Sequence, residues 1–250
     1  MRALLPDPSD HVDLEAAYAP PATTAATRPF VRVNMISSLD GAITVHGRSG
    51  QLGGAGDREV FAVLRSLTDV ILVGAGTVRA EGYGPARLDA DAQARRRARG
   101  QTPTPPIAVV SRSCHLDWDS PFFTDTDARP IVITTADANA DARKRAESMV
   151  DVVTAGTGDV DLAVALGALH ERGARSVLGE GGPRLNAQLA AAGLIDELCL
   201  TLSPRLVAGD GPRLFAGSEL PEPSRLEPVS LLEDDGFFFL RLRREHDDTA

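Results

Sequence analysis

Residues 70–77 read Val70-Ile71-Leu72-Val73-Gly74-Ala75-Gly76-Thr77, four apolar residues that lead directly into a glycine turn. A short, continuous apolar run is typical of a strand that is buried on both faces of a parallel sheet. A similar arrangement follows later, where Ser176-Val177-Leu178 leads into Gly179-Glu180-Gly181-Gly182-Pro183. Two strand-to-glycine turns predict an α/β protein that binds a ligand outside the carboxyl ends of its strands.

Strands and helices alternate on both sides of these turns. Strands that alternate with helices indicate a mostly parallel central sheet flanked by helices, and the last strands, which no helix separates, predict an antiparallel carboxyl-terminal edge. The predicted strands are 30–36, 70–73, 107–110, 131–133, 150–153, 176–178, 197–202, 226–232 and 237–243. The predicted helices are 57–67, with Asp57 as its cap, 92–99, 159–172, ended by Gly173, and 183–192.

This pattern predicts a single domain over residues 29–245 with no internal repeat. Residues 1–28 are rich in Pro, Ala, Thr and Asp, and we expect them to form an arm or lid that is poorly ordered unless it docks. Residues 246–250 form a polar tail.

The composition excludes several classes of function. The 250 residues include 26 basic and 35 acidic side chains, and a net charge of −9 argues against a nucleic-acid partner. Lys144 is the only lysine, which excludes a Walker-type phosphate loop and a Schiff-base enzyme. The two cysteines and five histidines lack metal-ligand spacing, and no apolar run is long enough to span a membrane. We therefore expect a cytoplasmic protein without a metal or a membrane partner.

The glycine turns and one arginine point to a phosphorylated ligand. Gly74-x-Gly76 resembles half of a Rossmann fingerprint, but Arg79 replaces the third glycine, so an ordinary Rossmann domain is not expected. Strand 107–110 ends in Ser111-Arg112-Ser113, where a guanidinium between two hydroxyls suits the extra phosphate of NADP. Either glycine turn alone could be only a tight connection, whereas the set favours a large ligand with several phosphates.

Six short motifs follow one another along the chain: Ser38-Leu39-Asp40-Gly41, Gly47-Arg48-Ser49, Leu64-Arg65, Gly74-Ala75-Gly76-Thr77-Val78, Glu180-Gly181-Gly182-Pro183-x-Leu185 and Leu194-Ile195-Asp196-Glu197-Leu198. In this order they resemble the reductase domain of riboflavin biosynthesis, which is the carboxyl-terminal half of a bifunctional deaminase–reductase with a dihydrofolate-reductase-like fold. The resemblance covers about residues 30–243 and is closest to the stand-alone pyrimidine reductases of GC-rich bacteria. It implies hydride transfer from NADPH to a phosphoribosylamino-pyrimidine, of the 5-amino-6-(5-phosphoribosylamino)uracil type, by a homodimer that pairs through its carboxyl-terminal region.

The resemblance also implies roles for individual residues. At the cofactor it places Gly74, Gly76, Thr77 and Glu81 of the first turn, Gly181, Gly182, Pro183 and Leu185 of the second, and Ser111 and Arg112 at the 2′-phosphate. At the substrate it places Asn34, Ser49, Arg65, Arg87 and Glu180. Arg65 and Arg87 suit its phosphate, and Glu180 suits donors on its ring. Asp40 and Glu180 are the catalytic candidates, with Asp40 orienting the nicotinamide or relaying a proton.

Simpler interpretations stand beside three of these roles. Arg65 precedes Asp69 by four residues, which is the spacing of an ion pair on a helix surface. Glu180 would then face solvent, and Asp40 would only shape its Asp-Gly turn. Tyr83 is either an aromatic residue that stacks on the substrate or an anchor for its loop.

Departures from the family leave the substrate open. Asn34 stands where the bacterial bifunctional enzymes carry a lysine, so a dihydrofolate-like or another pterin-like ring is an alternative substrate. A non-catalytic NADPH-binding module is a second alternative. The sequence contains no His-x-Glu with Pro-Cys-x-x-Cys, so we expect no zinc-dependent deamination.

Overall fold

A computed structural model describes residues 1–21 and 27–245, and its ten strands form one mixed sheet. The strands are β1 (Arg2–Leu5), β2 (Phe30–Ser38), β3 (Val70–Gly74), β4 (Ile107–Val110), β5 (Ile131–Thr134), β6 (Asp151–Thr154), β7 (Ser176–Gly179), β8 (Glu197–Ser203), β9 (Leu226–Asp234) and β10 (Phe237–Arg244). The helices are α1 (Leu14–Ala17), α2 (Ala55–Leu67), α3 (Ala75–Glu81), α4 (Ala90–Ala98), α5 (Pro121–Thr124), α6 (Ala140–Met149), α7 (Leu162–Glu171) and α8 (Pro183–Ala191).

The strand order is β1-β9-β10-β8-β2-β7-β3-β4-β5-β6. The seven strands from β8 to β6 run parallel, and β10, β9 and β1 continue the sheet antiparallel. The prediction of a mostly parallel sheet with an antiparallel carboxyl-terminal edge is therefore confirmed.

Helices cover both faces of the parallel region, which explains why its inner strands β3, β4, β5 and β7 are mostly apolar. On β7, Val177 packs in the cluster that α7 and α8 cover, and the next residue, Leu178, packs in the cluster under α2. Successive strand residues point to opposite faces, so both positions have to be apolar when both faces are covered.

The amino-terminal segment docks onto the antiparallel edge as far as the structure describes it. β1 pairs with β9, and Tyr18 is 1% exposed in the cluster under α2. Two buried arginines hold the end of α1, because Arg32 donates to the carbonyl of Tyr18 at 2.8 Å and Arg241 donates to that of Ala17. The remainder of the predicted arm at 22–26 and the predicted tail at 246–250 lie outside the described residues.

Several helix boundaries differ from the sequence-based ones. The prediction that Asp57 caps α2 was wrong: the helix begins at Ala55 after Gly54, and Asp57 is partly buried in its first turn, where desolvation raises the pKa of its carboxyl. α7 begins at Leu162 rather than at 159, because Asp161 caps it by accepting from two backbone N–H groups. Gly173 ends α7 with φ +95°, as predicted.

Two apolar residues of β8, Leu198 and Leu200, pack in the core of this chain. Leu198 is 6% exposed, and both it and Leu200 pack in the cluster covered by α7 and α8. Leu200 and Leu202 are only partly buried, and nothing in the described residues tests a subunit contact, so the homodimer stays a prediction. Over residues 1–21 and 27–245, no helix is long and apolar enough to cross a membrane, and no three His, Cys, Asp or Glu side chains gather into a metal site.

A buried arginine on α4 holds the end of α2. Arg96 is fully buried and donates hydrogen bonds to the carbonyls of Ser66 and Thr68, and through Nε to that of Thr102 at 2.8 Å. Burial lowers the pKa of Arg96 to about 10, so the guanidinium is still charged at neutral pH. Carbonyls at a helix carboxyl terminus lack partners within the helix, and a cation there is favourable.

Replacing Arg96 with Met is expected to lower the free energy of unfolding by about 3 kcal/mol, because several buried carbonyls lose their donor. The matched control is Arg97→Met on the same helix, since Arg97 is exposed and its hydrogen bond to Gln93 is 3.4 Å long. That change should stay within about 0.5 kcal/mol. If urea unfolding shows that both variants lose the same free energy of unfolding, Arg96 is not the anchor of α2.

Candidate active site

The two glycine turns lie side by side because β7 is inserted between β2 and β3. The carboxyl ends of these parallel strands share one edge of the sheet. There the backbone N–H of Gly74 donates to the carbonyl of Gly181 at 2.8 Å. Sequence positions more than 100 residues apart thus form one continuous surface, and the open-sheet rule places ligands at this edge.

Small side chains are required where the turns touch. A Cβ at position 182 would lie 2.5 Å from Oγ1 of Thr77, and Gly181 has φ +89°, which favours glycine. At Gly76, by contrast, a Cβ would meet no described atom within 4 Å, so the backbone here is open to a ligand. Pro183 starts α8 directly after the second turn, and Leu185 is buried in the core beneath it.

Arg65 and Glu180 form a buried ion pair beside these turns. Nε of Arg65 donates to Oε1 of Glu180 at 2.8 Å and Nη2 donates to Oε2 at 2.7 Å, a bidentate arrangement. The side chains are 14% and 3% exposed. Burial raises the pKa of the Glu180 carboxyl, and the Arg65 charge opposes that rise. The surface pair of Arg65 with Asp69 and a solvent-facing Glu180 are both excluded.

Aromatic side chains and α2 fix the Arg65 guanidinium. It lies 4.2 Å from the ring centre of Phe61 and 5.5 Å from that of Tyr83, and Nη2 also donates to the Tyr83 hydroxyl at 2.8 Å. Nη1 forms no hydrogen bond to any described residue. Two N–H donors of this guanidinium are therefore available to a ligand.

Ser49 contacts Glu81 at the end of α3, and Asn34 lies on β2. The backbone N–H of Ser49 donates to Oε1 of Glu81 at 3.0 Å, so a predicted substrate residue and a predicted cofactor residue are in contact. The β2–β7 register pairs Arg32 with Leu178, and two residues further along each strand it places Asn34 opposite Glu180. Strand alternation thus puts Asn34 on the Glu180 face of the sheet.

Asp40 follows β2 at the rim of a cleft of about 390 Å³. Its carboxylate accepts from Oγ of Ser38 at 2.5 Å and from the backbone N–H groups of Val207 and Ala208. The Ser38 hydroxyl and these backbone donors hold the pKa of Asp40 below its ordinary value. Asp40 therefore shapes the cleft wall, and its exposed carboxylate is ionised at neutral pH.

The last three predicted site residues, Arg87, Ser111 and Arg112, differ in their exposure and in their ion-pair partners. Arg87 is exposed and forms ion pairs of 2.9 Å with Asp125 and with Asp127, and no contact in the described structure joins it to Arg65 or Glu180. Ser111 is buried at the end of β4. The side chain of Arg112 is 69% exposed, and its contact with Asp159 is 3.5 Å long. Arg112 can therefore reach a ligand more readily than Arg87.

Two residues at the second glycine turn were missed from the sequence. Sδ of Met35 lies 3.4 Å from where a Cβ on Gly181 would be. Asn186 is fully buried and donates to the carbonyl of Leu214 at 3.1 Å, which ties the cleft wall to α8. The alternation of β2 could have indicated Met35, whereas the Asn186 contact depends on a loop that carries no sequence signal.

Comparison with known proteins decides the family. The sequence model of the RibD C-terminal domain matches residues 29–237. The chain belongs to the RibD C-terminal domain family. A crystallised pyrimidine reductase-like protein of Corynebacterium diphtheriae superimposes with a TM-score of 0.81 and 30% identity, covering 94% of this chain and 100% of that one. The dihydrofolate-reductase-like fold that the motifs implied is thereby confirmed.

Two relatives of this family carry the same name, 2,5-diamino-6-ribosylamino-4(3H)-pyrimidinone 5′-phosphate reductase. The protein from Methanothermobacter thermautotrophicus is 32% identical over 202 residues, which is 77% of this chain and 85% of that protein. The protein from Archaeoglobus fulgidus is 29% identical over 212 residues, which is 84% of this chain and 96% of that protein.

The contact between Gly182 and Thr77 can be tested by a double-mutant cycle. Gly182→Ala should lower the free energy of unfolding by about 1–3 kcal/mol, because the new methyl group overlaps the Thr77 hydroxyl. Thr77→Ala removes that hydroxyl and should restore most of the loss in the double variant. Purely additive effects in urea unfolding would mean that the two turns do not touch at this point.

Proposed function

We propose that this chain is an NADPH-dependent reductase that transfers a hydride to a ribosylamino-pyrimidine 5′-phosphate. The observation that carries the proposal is the buried Arg65–Glu180 pair beside two contiguous glycine turns. A module that only binds a dinucleotide does not need a buried carboxylate and a fixed guanidinium next to its phosphate-binding turns. The names of the two relatives support the same reaction class.

The glycine turns fit a dinucleotide cofactor. The open backbone at Gly76 and the close approach of Gly182 to Thr77 leave a cradle without side chains, which suits a pyrophosphate. Gly74, Gly181, Pro183 and Leu185 shape this cradle, as the resemblance implied. NADPH would supply the hydride from its nicotinamide ring.

Arg112 is our candidate for recognition of the 2′-phosphate. It follows β4, the strand next to β3, and its exposed guanidinium has one weak carboxylate contact, at 3.5 Å. An arginine can bind a phosphate with two parallel hydrogen bonds, and the neighbouring Ser111 can add another.

Arg112→Ala should raise the Kd for NADPH about tenfold or more and leave the Kd for NADH unchanged, because a charge-assisted contact to the 2′-phosphate is lost. Calorimetric titration measures both constants. The control is Arg129→Ala, another exposed arginine, which precedes β5 at the opposite edge of the sheet. An equal loss for both cofactors would remove Arg112 from the 2′-phosphate site.

The substrate would lie between the cofactor cradle and the Arg65–Glu180 pair. The two free N–H donors on Nη1 of Arg65 suit the substrate phosphate, and we retain Arg87 as a second phosphate ligand only if it leaves Asp125 and Asp127. Each Glu180 oxygen keeps an acceptor site beyond its bond to Arg65, which suits N–H or O–H donors of the substrate. Asn34 and Ser49 border the same space.

Asp40 suits an orienting role better than that of a proton donor. Reduction adds a hydride at the sugar carbon that carries the amine, breaks the ring C–O bond and places a proton on the released oxygen. Because hydrogen bonds lower the pKa of Asp40, its carboxyl holds no proton to give at neutral pH. The Asp40 carboxylate can accept a hydrogen bond and thereby orient the nicotinamide ring at the cleft.

The two relatives favour the diamino-pyrimidinone over the uracil as the ring. At the N3 edge of the ring, a 2-amino group beside N3–H offers two adjacent donors to a carboxylate, whereas the uracil has N3–H between two carbonyls. Comparing kcat/KM for the two phosphorylated substrates tests this choice directly. A dihydrofolate substrate lacks the phosphate and carries carboxylates instead, so kcat/KM for dihydrofolate tests that alternative.

Glu180→Gln should lower kcat/KM by about 100-fold or more while the Kd for NADPH changes less than about twofold, because only the substrate side loses its acceptor. Glu171→Gln, at the exposed end of α7, is the matched control and should be unchanged. Unfolding of each variant is measured alongside, since loss of Glu180 also leaves the Arg65 charge unpaired. Unchanged turnover in a folded Glu180→Gln variant would remove Glu180 from the site.

A further inference from the structure

We infer that Tyr83 is a positioning residue that presets the Arg65 guanidinium for the substrate phosphate. The inference rests on the proposed function, because it concerns how the same site binds its substrate.

Packing fixes the position of the Tyr83 ring. Gly82 ends α3 in the left-handed region with φ +62°, and the backbone N–H of Tyr83 then donates to the carbonyl of Val78 at 3.0 Å. The ring packs against the apolar cluster formed by β3, β4 and α5, and its centre lies 6.5 Å from that of Phe122. The hydroxyl is therefore held by a rigid support rather than by a free loop.

From this support the hydroxyl reaches across to α2. It accepts from Nη2 of Arg65 at 2.8 Å, and the other N–H of Nη2 and that of Nε go to Glu180. Three of the five N–H donors are thus used by two partners on different elements, and these bonds fix the plane of the guanidinium. The remaining two, on Nη1, are the ones left for a ligand.

The two partners contribute differently to this arrangement. Glu180 neutralises the Arg65 charge and would hold it equally well after a small rotation about the ion pair. Tyr83 adds no charge. Its hydroxyl bonds to Nη2, and its ring centre lies 5.5 Å from the guanidinium carbon, and together these two contacts remove that rotation. A guanidinium that is already fixed loses less conformational entropy when it binds a phosphate.

The same geometry argues against stacking of the substrate on Tyr83. The Arg65 guanidinium lies over the ring, and the ring also contacts the apolar cluster through Phe122. Phe61 lies over the guanidinium as well, 4.2 Å from its carbon, so the cation is placed between two aromatic rings. Of the two roles that the sequence left open, the anchoring role is the one that this packing supports.

The test is Tyr83→Phe, which keeps the ring and removes only the hydroxyl. We expect KM for the phosphorylated substrate to rise about tenfold with kcat within about twofold, because a hydrogen bond to a charged group is lost. The dephosphorylated riboside should show no difference between wild type and variant, since it has no phosphate for Arg65. Tyr18→Phe, at the only other tyrosine, is the matched control and should leave both KM values unchanged.

Binding of ribose 5-phosphate, measured by calorimetry with ribose as reference, separates this inference from the proposed function. Weaker binding to Tyr83→Phe than to wild type supports the role of Tyr83 even if the wild type reduces no pyrimidine. Identical binding to both proteins, or no binding to wild type, overturns it. Equal increases in KM for the phosphorylated and dephosphorylated substrates would also overturn it, because they would mark a merely structural effect.

Discussion

The bidentate ion pair between Arg65 and Glu180 is the contact on which the site depends. Removing two charges from water is costly, and their attraction offsets that cost only when the geometry is good and further hydrogen bonds are made. Both conditions are met here, because both carboxylate oxygens accept from the fork and the Tyr83 hydroxyl takes a further N–H. A buried carboxyl group and a fixed guanidinium are thereby held together at the edge of the sheet.

The topology makes this pair possible. β7 follows β6 in the chain but lies between β2 and β3, near the middle of the sheet. Its carboxyl end therefore places Glu180 under α2 and the second glycine turn against the first. The buried Arg96 matters to the same arrangement, since it holds the end of the helix that carries Arg65. The Arg65–Glu180 ion pair and the two glycine turns are thus held in place by the same strands and by α2.

Local sequence signals were sufficient for the fold class and for the two turns. Apolar runs that end in glycine are typical of buried parallel strands that enter a tight turn, and the alternation of strands and helices determined the parallel sheet. Signals of this kind could not give the partner of Arg65, because Glu180 is 115 residues away and Asp69 is only four. The docked segment at residues 1–18 was also beyond them, since its contacts are with the distant elements β2, β9, β10 and α2.

Hydride transfer to the sugar carbon is the central claim, and isotope labelling tests it most directly. The enzyme would be supplied with NADPH carrying deuterium at either face of nicotinamide C4 and with the ribosylamino-pyrimidine phosphate, and the product analysed by mass spectrometry. With one of the two labelled cofactors, the ribitylamino product should be about one mass unit heavier than with unlabelled NADPH, the extra mass lying in the ribityl chain. Cofactor oxidation without deuterium in the product, or no product with either cofactor, would contradict the account.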